Sequence, residues 1–137
     1  AHIKRSQAVT VIFRLLTPDS LKKVYSEKGQ FVDVSKDDWC STFVNTLQNA
    51  GVIKGCGGDM FAPERNLTRG EMVTLFTRFV EPRTDQSIQL DHWSADAIRT
   101  AASLKWITYN ADFNPNEEVS VQEFISFALT VLEWGTP

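Results

Sequence analysis

Side chains able to do chemistry are few in this chain. It holds two histidines, His2 and His92, and two cysteines, Cys40 and Cys56. A tetrahedral zinc site takes ligands clustered as C-x2-4-C or H-x3-5-H, and neither spacing occurs. Gly55-Cys56-Gly57-Gly58 has the look of a phosphate loop, but no Gly-Lys-Ser/Thr follows, so it reads as a flexible turn. Asp33-Val34-Ser35-Lys36-Asp37 imitates the opening of a calcium loop. Asp38 then stands where glycine is required and Val44 where glutamate is required. No G-x-S-x-G elbow or G-x-G-x-x-G is present, and Glu117-Glu118 reads as a solvated helix entry. No catalytic residue, metal or cofactor is expected. What remains is recognition chemistry: the fork of an arginine, which matches a carboxylate bidentately, and tryptophans that can lie on a sugar face.

The elements that must position such groups come from an ordinary globular chain. It has 137 residues, 42% hydrophobic and 23% charged, with a net charge of −3. That balance excludes disorder, and a chain this long can build a core without metal or disulfide staples. The charge argues against nucleic acid, which needs a concentrated basic face. No apolar run approaches a membrane span, and Ala1-His2-Ile3-Lys4-Arg5 does not read as a signal peptide. A small, soluble, mildly acidic domain is expected.

The chain repeats itself. Trp39 returns as Trp93 and Ile53 as Ile107, 54 positions on; Phe61, Pro63 and Glu71 return as Phe113, Pro115 and Glu123, 52 positions on. The offset falls because the loop Gly55 to Met60 is longer than its counterpart. Arg5, Val9 and Arg14 return as Arg69, Val73 and Arg78, 64 positions on. Residues 1–16 are thus the second half of a first copy, 17–30 a linker, 31–81 a second copy and 87–134 a third, within one domain over 1–137.

Each whole copy reads as helix, loop, helix, so the fold class is all-α. Trp39, Phe43, Val44, Leu47 and Ala50 mark one buried face of a first helix, and Gly51 suits its left-handed cap. Thr68 with Glu71 forms a capping box ahead of Met72, Val73, Phe76, Phe79 and Val80. In the third copy Trp93, Ala97, Ile98, Ala101 and Leu104 form the first helix. Ser120 with Glu123 forms the second capping box, ahead of Phe124, Ile125, Ala128, Val131 and Leu132. The first copy supplies one helix with Ala8, Val9, Ile12, Leu15 and Leu16 inward. Pro18-Asp19-Ser20 starts a short extra helix through Tyr25.

At these residues a family becomes visible. Phe31-Val-Asp33, Trp39, Gly51-Val-Ile-Lys-Gly55, Phe61-Ala-Pro63 and Leu67-Thr-Arg-Gly-Glu71 resemble the surface-layer homology (SLH) motif of bacterial cell-surface proteins. The third copy keeps Asp91 and Trp93, but Leu90 replaces the aromatic and Val121 the arginine; the first copy keeps Ile3-Lys-Arg5-Ser-Gln7. The resemblance implies a pseudo-threefold bundle of helix–loop–helix repeats, here with its first repeat incomplete. It also implies an extracellular, cell-wall or S-layer location. The implied function is non-covalent anchoring to a peptidoglycan-linked secondary cell-wall polysaccharide, acidic and often pyruvylated. The arginine implied to meet the ligand is Arg69, and Arg5 in the first copy.

Physical chemistry agrees with that role. Trp39 with Asp33, and Trp93 with Asp91, supply a ring for a sugar face and an acid for its hydroxyls. Plainer readings stand beside these. Both tryptophans open an apolar helical stripe, which places them chiefly in the core with an edge showing. Asp33 equally suits capping of the following turn. Thr68, Glu71, Ser120 and Glu123 are explained by capping. Arg69 sits at the first helical position, where the dipole gives a cation no benefit; its structural alternative is an ion pair with Glu64 or Asp59. Cys40 is expected as a small core hydrophobe, bridged to Cys56 only if the loop folds back.

The half repeat leaves an apolar face to cover, by self-association or by residues 17–30, and suggests a piece of a longer surface protein. A protein–protein module for surface-layer assembly is the competing function; catalysis is a distant third.

Overall fold

The computed structural model describes residues 1–83 and 85–134; Thr84 and residues 135–137, the end of the expected 1–137 domain, lie outside the described residues. Among those described there are six helices and no strand: α1 (Arg5–Leu15), α2 (Pro18–Val24), α3 (Ser41–Asn49), α4 (Arg69–Thr77), α5 (Ala95–Ser103) and α6 (Val121–Trp134). The chain divides into two compact units, one of Ile3–Asn66 and one of Ala1–His2 with the chain from Leu67 on. These units cut across the sequence copies. Each pairs the second helix of one copy with the first helix of the next: α1 with α3, and α4 with α5.

In the first unit, Ala8, Val9 and Ile12 bury the inner stripe of α1. Phe13 meets Phe43 of α3 with ring centroids 4.8 Å apart. Of the expected inward residues Leu15 and Leu16, the first is not buried and the second is half-buried. The helix ends at Leu15, its cap residue Leu16 is extended, and Leu15 is exposed. The linker does start a helix as expected: Thr17 accepts the Ser20 N–H at 3.2 Å and Pro18 takes the first helical position. It packs on α3. Thr46 holds the chain that follows, accepting the Ser26 N–H at 3.1 Å and donating to the Ser26 carbonyl at 3.2 Å.

Helix α3 ends in a Schellman motif. Gly51 lies at φ +80°, its N–H bonds Gln48 O at 3.0 Å, and Val52 N–H bonds Leu47 O at 3.0 Å. The turn beyond closes on the Cys56 N–H to Met60 carbonyl bond of 2.9 Å. It needs glycine at its start. Gly55 lies at φ +83°, and an added Cβ would stand 2.6 Å from the Phe31 ring and 2.9 Å from Met60 O. Both thiols are free; Cys40 is in the core and Cys56 is exposed. Burial above all pushes the Cys40 thiol pKa up.

In the second unit the Thr68–Glu71 capping box forms in full, with Thr68 N–H on Glu71 Oε1 at 2.9 Å and Glu71 N–H on Thr68 Oγ1 at 3.3 Å. Met72, Val73, Leu75 and Phe76 are all buried, so α4 is apolar nearly all round, as a fully surrounded helix must be. It stops at Thr77, which leaves Phe79 exposed and Val80 half-buried where sequence periodicity predicts both inside. Ile98 and Ala101 seat α5 on α4, and Thr100 repeats the clasp of Thr46, bonding both the N–H and the carbonyl of Arg83 at 3.0 Å.

Helix α5 ends in a second Schellman motif, with Trp106 N–H on Ala101 O at 2.9 Å, but Lys105 occupies the left-handed position at φ +65°. A side chain there costs about 1–2 kcal/mol, part of which glycine gives back through its freer unfolded chain. Lys105→Gly is therefore expected to gain about 0.5–1 kcal/mol, read as a higher urea midpoint at unchanged slope.

Phe124, Phe127 and Ala128 turn α6 inward, with Phe124 and Phe127 ring centroids 5.6 and 5.4 Å from that of Phe76. Ile125 and Leu132, expected inside, are exposed. The burial follows the Phe124–Phe127–Ala128–Val131 line rather than the neighbouring one.

Candidate ligand-binding residues

Arg69, at the first position of α4, reaches across to the start of α6. Its Nε donates to Glu123 Oε2 at 2.7 Å and its Nη2 to Glu123 Oε1 at 3.0 Å, a bidentate grip. Nη1 meets Glu117 Oε2 at 3.2 Å and the guanidinium lies 5.7 Å from the centre of the Phe113 ring. The Arg69 side chain is 17% exposed. The Glu123 hydrogen bond, the largest influence, raises the arginine pKa above its ordinary value against the opposing effect of burial. The carboxylates expected for it are elsewhere. Glu64 pairs with Lys4 at 2.8 Å, and Asp59 sits in the exposed loop. Arg69, Glu123, Met72, Trp106, Phe113 and Phe127 surround a shallow recess of about 240 Å³.

Glu123 thereby departs from its expected capping role. Ser120 Oγ still accepts the Glu123 N–H at 3.0 Å, but both Glu123 carboxylate oxygens are on Arg69. Two charge-assisted bonds outweigh one bond to a neutral N–H. Arg5, by contrast, is buried; its Nε donates to the Phe61 carbonyl at 2.8 Å and its guanidinium covers the Phe61 ring at 4.8 Å.

Asp33 neither caps the turn that follows it nor offers free oxygens. Its Oδ1 accepts the Phe61 N–H at 2.8 Å and its Oδ2 the Ala62 N–H at 2.7 Å, which holds Ala62 at φ +59°. Asp91 is exposed.

The two tryptophans correct the core expectation. Trp39 is 59% and Trp93 63% exposed. Each stands just before its helix, since α3 begins after Cys40 and α5 after Ser94, so the helical phase does not govern them. A turn at Ser35 to Asp38, closed by the Ser35 N–H to Asp38 carboxylate bond of 2.8 Å, delays α3. Trp39 meets Phe43 edge-on at 6.4 Å, and Arg14 lies 5.6 Å over the same Phe43 ring. Trp93 lies beside His92 at 5.4 Å, and His92 is fixed by Ser94 Oγ at 2.7 Å and Asn116 at 2.8 Å. Sequence reasoning passed over Arg14 as a neighbour of this aromatic group, and over the Thr46 and Thr100 clasps. The clasps carry the same 54-residue offset as the tryptophans and could have been found by it.

These elements define an all-α helix–loop–helix repeat module with one exposed indole ahead of each first helix. Residues 30–73 match the S-layer homology domain, a domain of bacterial cell-surface and S-layer proteins. It is similar to the cellulosome-anchoring protein of Acetivibrio thermocellus (23% identical over 98% of this chain and 33% of that protein). It is also similar to cell surface glycoprotein 1 of the same organism (23% identical, 98% of this chain, 6% of the relative). S-layer protein EA1 of Bacillus anthracis is 25% identical over 97% of this chain and 16% of its own length. The chain thus spans a third or less of these relatives. It belongs at the cell surface, in association with the S-layer or cell wall. No helix among the described residues is long and apolar enough to cross a membrane.

Proposed function

We propose that this chain anchors a bacterial surface protein non-covalently to the cell wall by binding an acidic, pyruvylated secondary polysaccharide linked to peptidoglycan, as a binding module and not an enzyme. The observation that carries the reading is the exposure of Trp39 and Trp93 at the same repeat position. An indole left in water is an amphipathic platform that a sugar face covers. Arg69 adds the second requirement, since it already holds a carboxylate bidentately at the edge of an aromatic recess. A ketal carboxylate would take the place of Glu123. Beside Trp39, Arg14 presents an exposed cation on the Phe43 ring.

The pseudo-threefold arrangement belongs to the same proposal. It is supported by the recurrence of one position ahead of a second helix, Lys4, Thr68 and Ser120, at the repeat offsets of 64 and 52 residues.

Co-sedimentation with intact walls and with walls stripped of the secondary polysaccharide tests the reading. The chain should pellet with the intact walls alone, and Trp39→Ala and Trp93→Ala should each weaken binding about tenfold, or roughly 1.4 kcal/mol. Equal pelleting with stripped walls, or unchanged binding by both variants, would reject it. The second reading, a protein-assembly module without glycan binding, is favoured by Val121 at the arginine position of the third copy.

A further inference from the structure

Two arginines that could meet a ligand carboxylate are already committed. Arg5 is buried and gives its Nε to the Phe61 carbonyl at 2.8 Å. Arg69 holds both Glu123 carboxylate oxygens, at 2.7 and 3.0 Å, and an incoming acid must displace them. Arg14, which the resemblance does not assign to the ligand, is different. It is exposed, its side chain makes no hydrogen bond or ion pair among the described residues, and its guanidinium lies 5.6 Å over the Phe43 ring.

Phe43 is a shelf for it. Phe13 packs on that ring at 4.8 Å and Trp39 meets it edge-on at 6.4 Å. All four residues lie in the unit Ile3–Asn66: Phe13 and Arg14 on the last turn of α1, Phe43 on the first turn of α3, Trp39 just ahead of it. Stacking occupies the face of a guanidinium and leaves its in-plane fork of N–H donors turned to water. An exposed charge pair gains little when both side chains must first be ordered; here the ring has already ordered Arg14. Across the same ring, the indole of Trp39 is 59% exposed. Cation and indole thus flank Phe43, a separation that one or two sugar residues span. At the repeat offset of 54, Ala97 stands where Phe43 does, so Trp93 has no ring at that position.

We propose that Arg14 is the residue by which the Trp39 site tells an acidic sugar from a neutral one, a point of carboxylate recognition separate from Arg69. The inference rests on the glycan reading and adds to it the residue that sets specificity at this site. The plainer role for Arg14, a cation favoured by the dipole at the end of α1, gives no preference between the two kinds of sugar.

The test uses the whole 137-residue chain labelled with fluorotryptophan, its Trp39 resonance assigned with Trp39→Phe. Two probes are titrated and followed by fluorine NMR: a methyl glycoside carrying a pyruvate ketal, and the same glycoside with the ketal carboxylate methylated. The acid is expected to bind about tenfold more tightly than the ester, or roughly 1.4 kcal/mol, as read from the Trp39 resonance. Arg14→Gln should raise the Kd of the acid to that of the ester and leave the ester unchanged. Arg14→Lys keeps the charge at the helix end but not the fork, and should retain only part of the preference. Arg14 is exposed, so both variants keep their far-ultraviolet circular dichroism. A preference that survives Arg14→Gln overturns the inference and leaves the glycan reading standing. Equal weakening of acid and ester also overturns it, for then Arg14 only packs. If neither probe moves the Trp39 resonance of the natural chain, the glycan reading fails at this site and the inference falls with it.

Discussion

Arg69→Ala is expected to lower the melting temperature and to abolish wall binding together. The side chain joins the first turn of α4 to the first turn of α6 through two bonds to Glu123, and it also bonds Glu117. Hydrogen bonds to charged groups contribute about 1.5–3 kcal/mol, less where water screens them. With Glu123 34% exposed, a loss of about 2 kcal/mol is the expected outcome, or roughly 5–10 °C in calorimetry.

Two further substitutions separate strut from ligand site. Arg69→Lys keeps the charge but not the fork, and should retain part of the stability while losing most of the binding. Glu123→Gln removes the internal competitor. If Arg69 receives a ligand carboxylate, this variant is less stable yet binds the acidic polysaccharide severalfold more tightly. Equal loss of stability and binding in Glu123→Gln would make the pair a strut alone. The raised arginine pKa fixes the sign of the pH dependence on the arginine's side. Its stabilisation is fully present below the ordinary arginine value and is lost only above it, so no change from this group is expected through the neutral and moderately alkaline range.

Asp33→Ala is expected to cost more, about 3 kcal/mol, because it orphans two backbone N–H groups at once. One belongs to Phe61, whose ring is in the core, and the other to Ala62, which is held in a left-handed conformation. Asp33→Asn keeps one acceptor oxygen and turns an amide NH2 toward the other N–H, so it should lie about halfway between. Urea unfolding reads both. A midpoint in Asp33→Ala within about 0.5 kcal/mol of the natural chain, the range of an ordinary surface substitution, would show that the loop finds other partners.

The sequence made local features plain and long-range ones obscure. The Thr68–Glu71 box, the Gly51 stop and the Pro18-Asp19-Ser20 start are each written within a few neighbouring residues, and all three appear as read, with Thr17 added by the structure as the cap of the last. The offsets of 52 and 54 residues disclose which segments are equivalent. Ile125 and Leu132 fall on the line of α6 beside the buried one, and the other misplaced residues lie at helix ends. Trp39 and Trp93 continue the stripe of helices that begin only after Cys40 and Ser94, and Leu15, Phe79 and Val80 continue the stripe of helices that stop at or before them. A stripe carries no information about where the helix itself begins. The partner of Arg69 was hidden for another reason. Glu123 lies 54 residues away inside a motif already complete as a local cap, and only the folded chain decides between the two uses. Asp33 is similar, since its partners are backbone groups that any residue would supply.

The mismatch between compact unit and sequence period bears on how such chains can be rearranged. A cut or duplication at the sequence period, after Glu81 for example, would part α4 from α5, the very pair that packs together. A splice between Asn66 and Leu67 keeps α1 with α3 and α4 with α5. Recombination that keeps these two helix pairs therefore breaks the chain in the middle of a motif, between Asn66 and Leu67, and not at the boundary between copies.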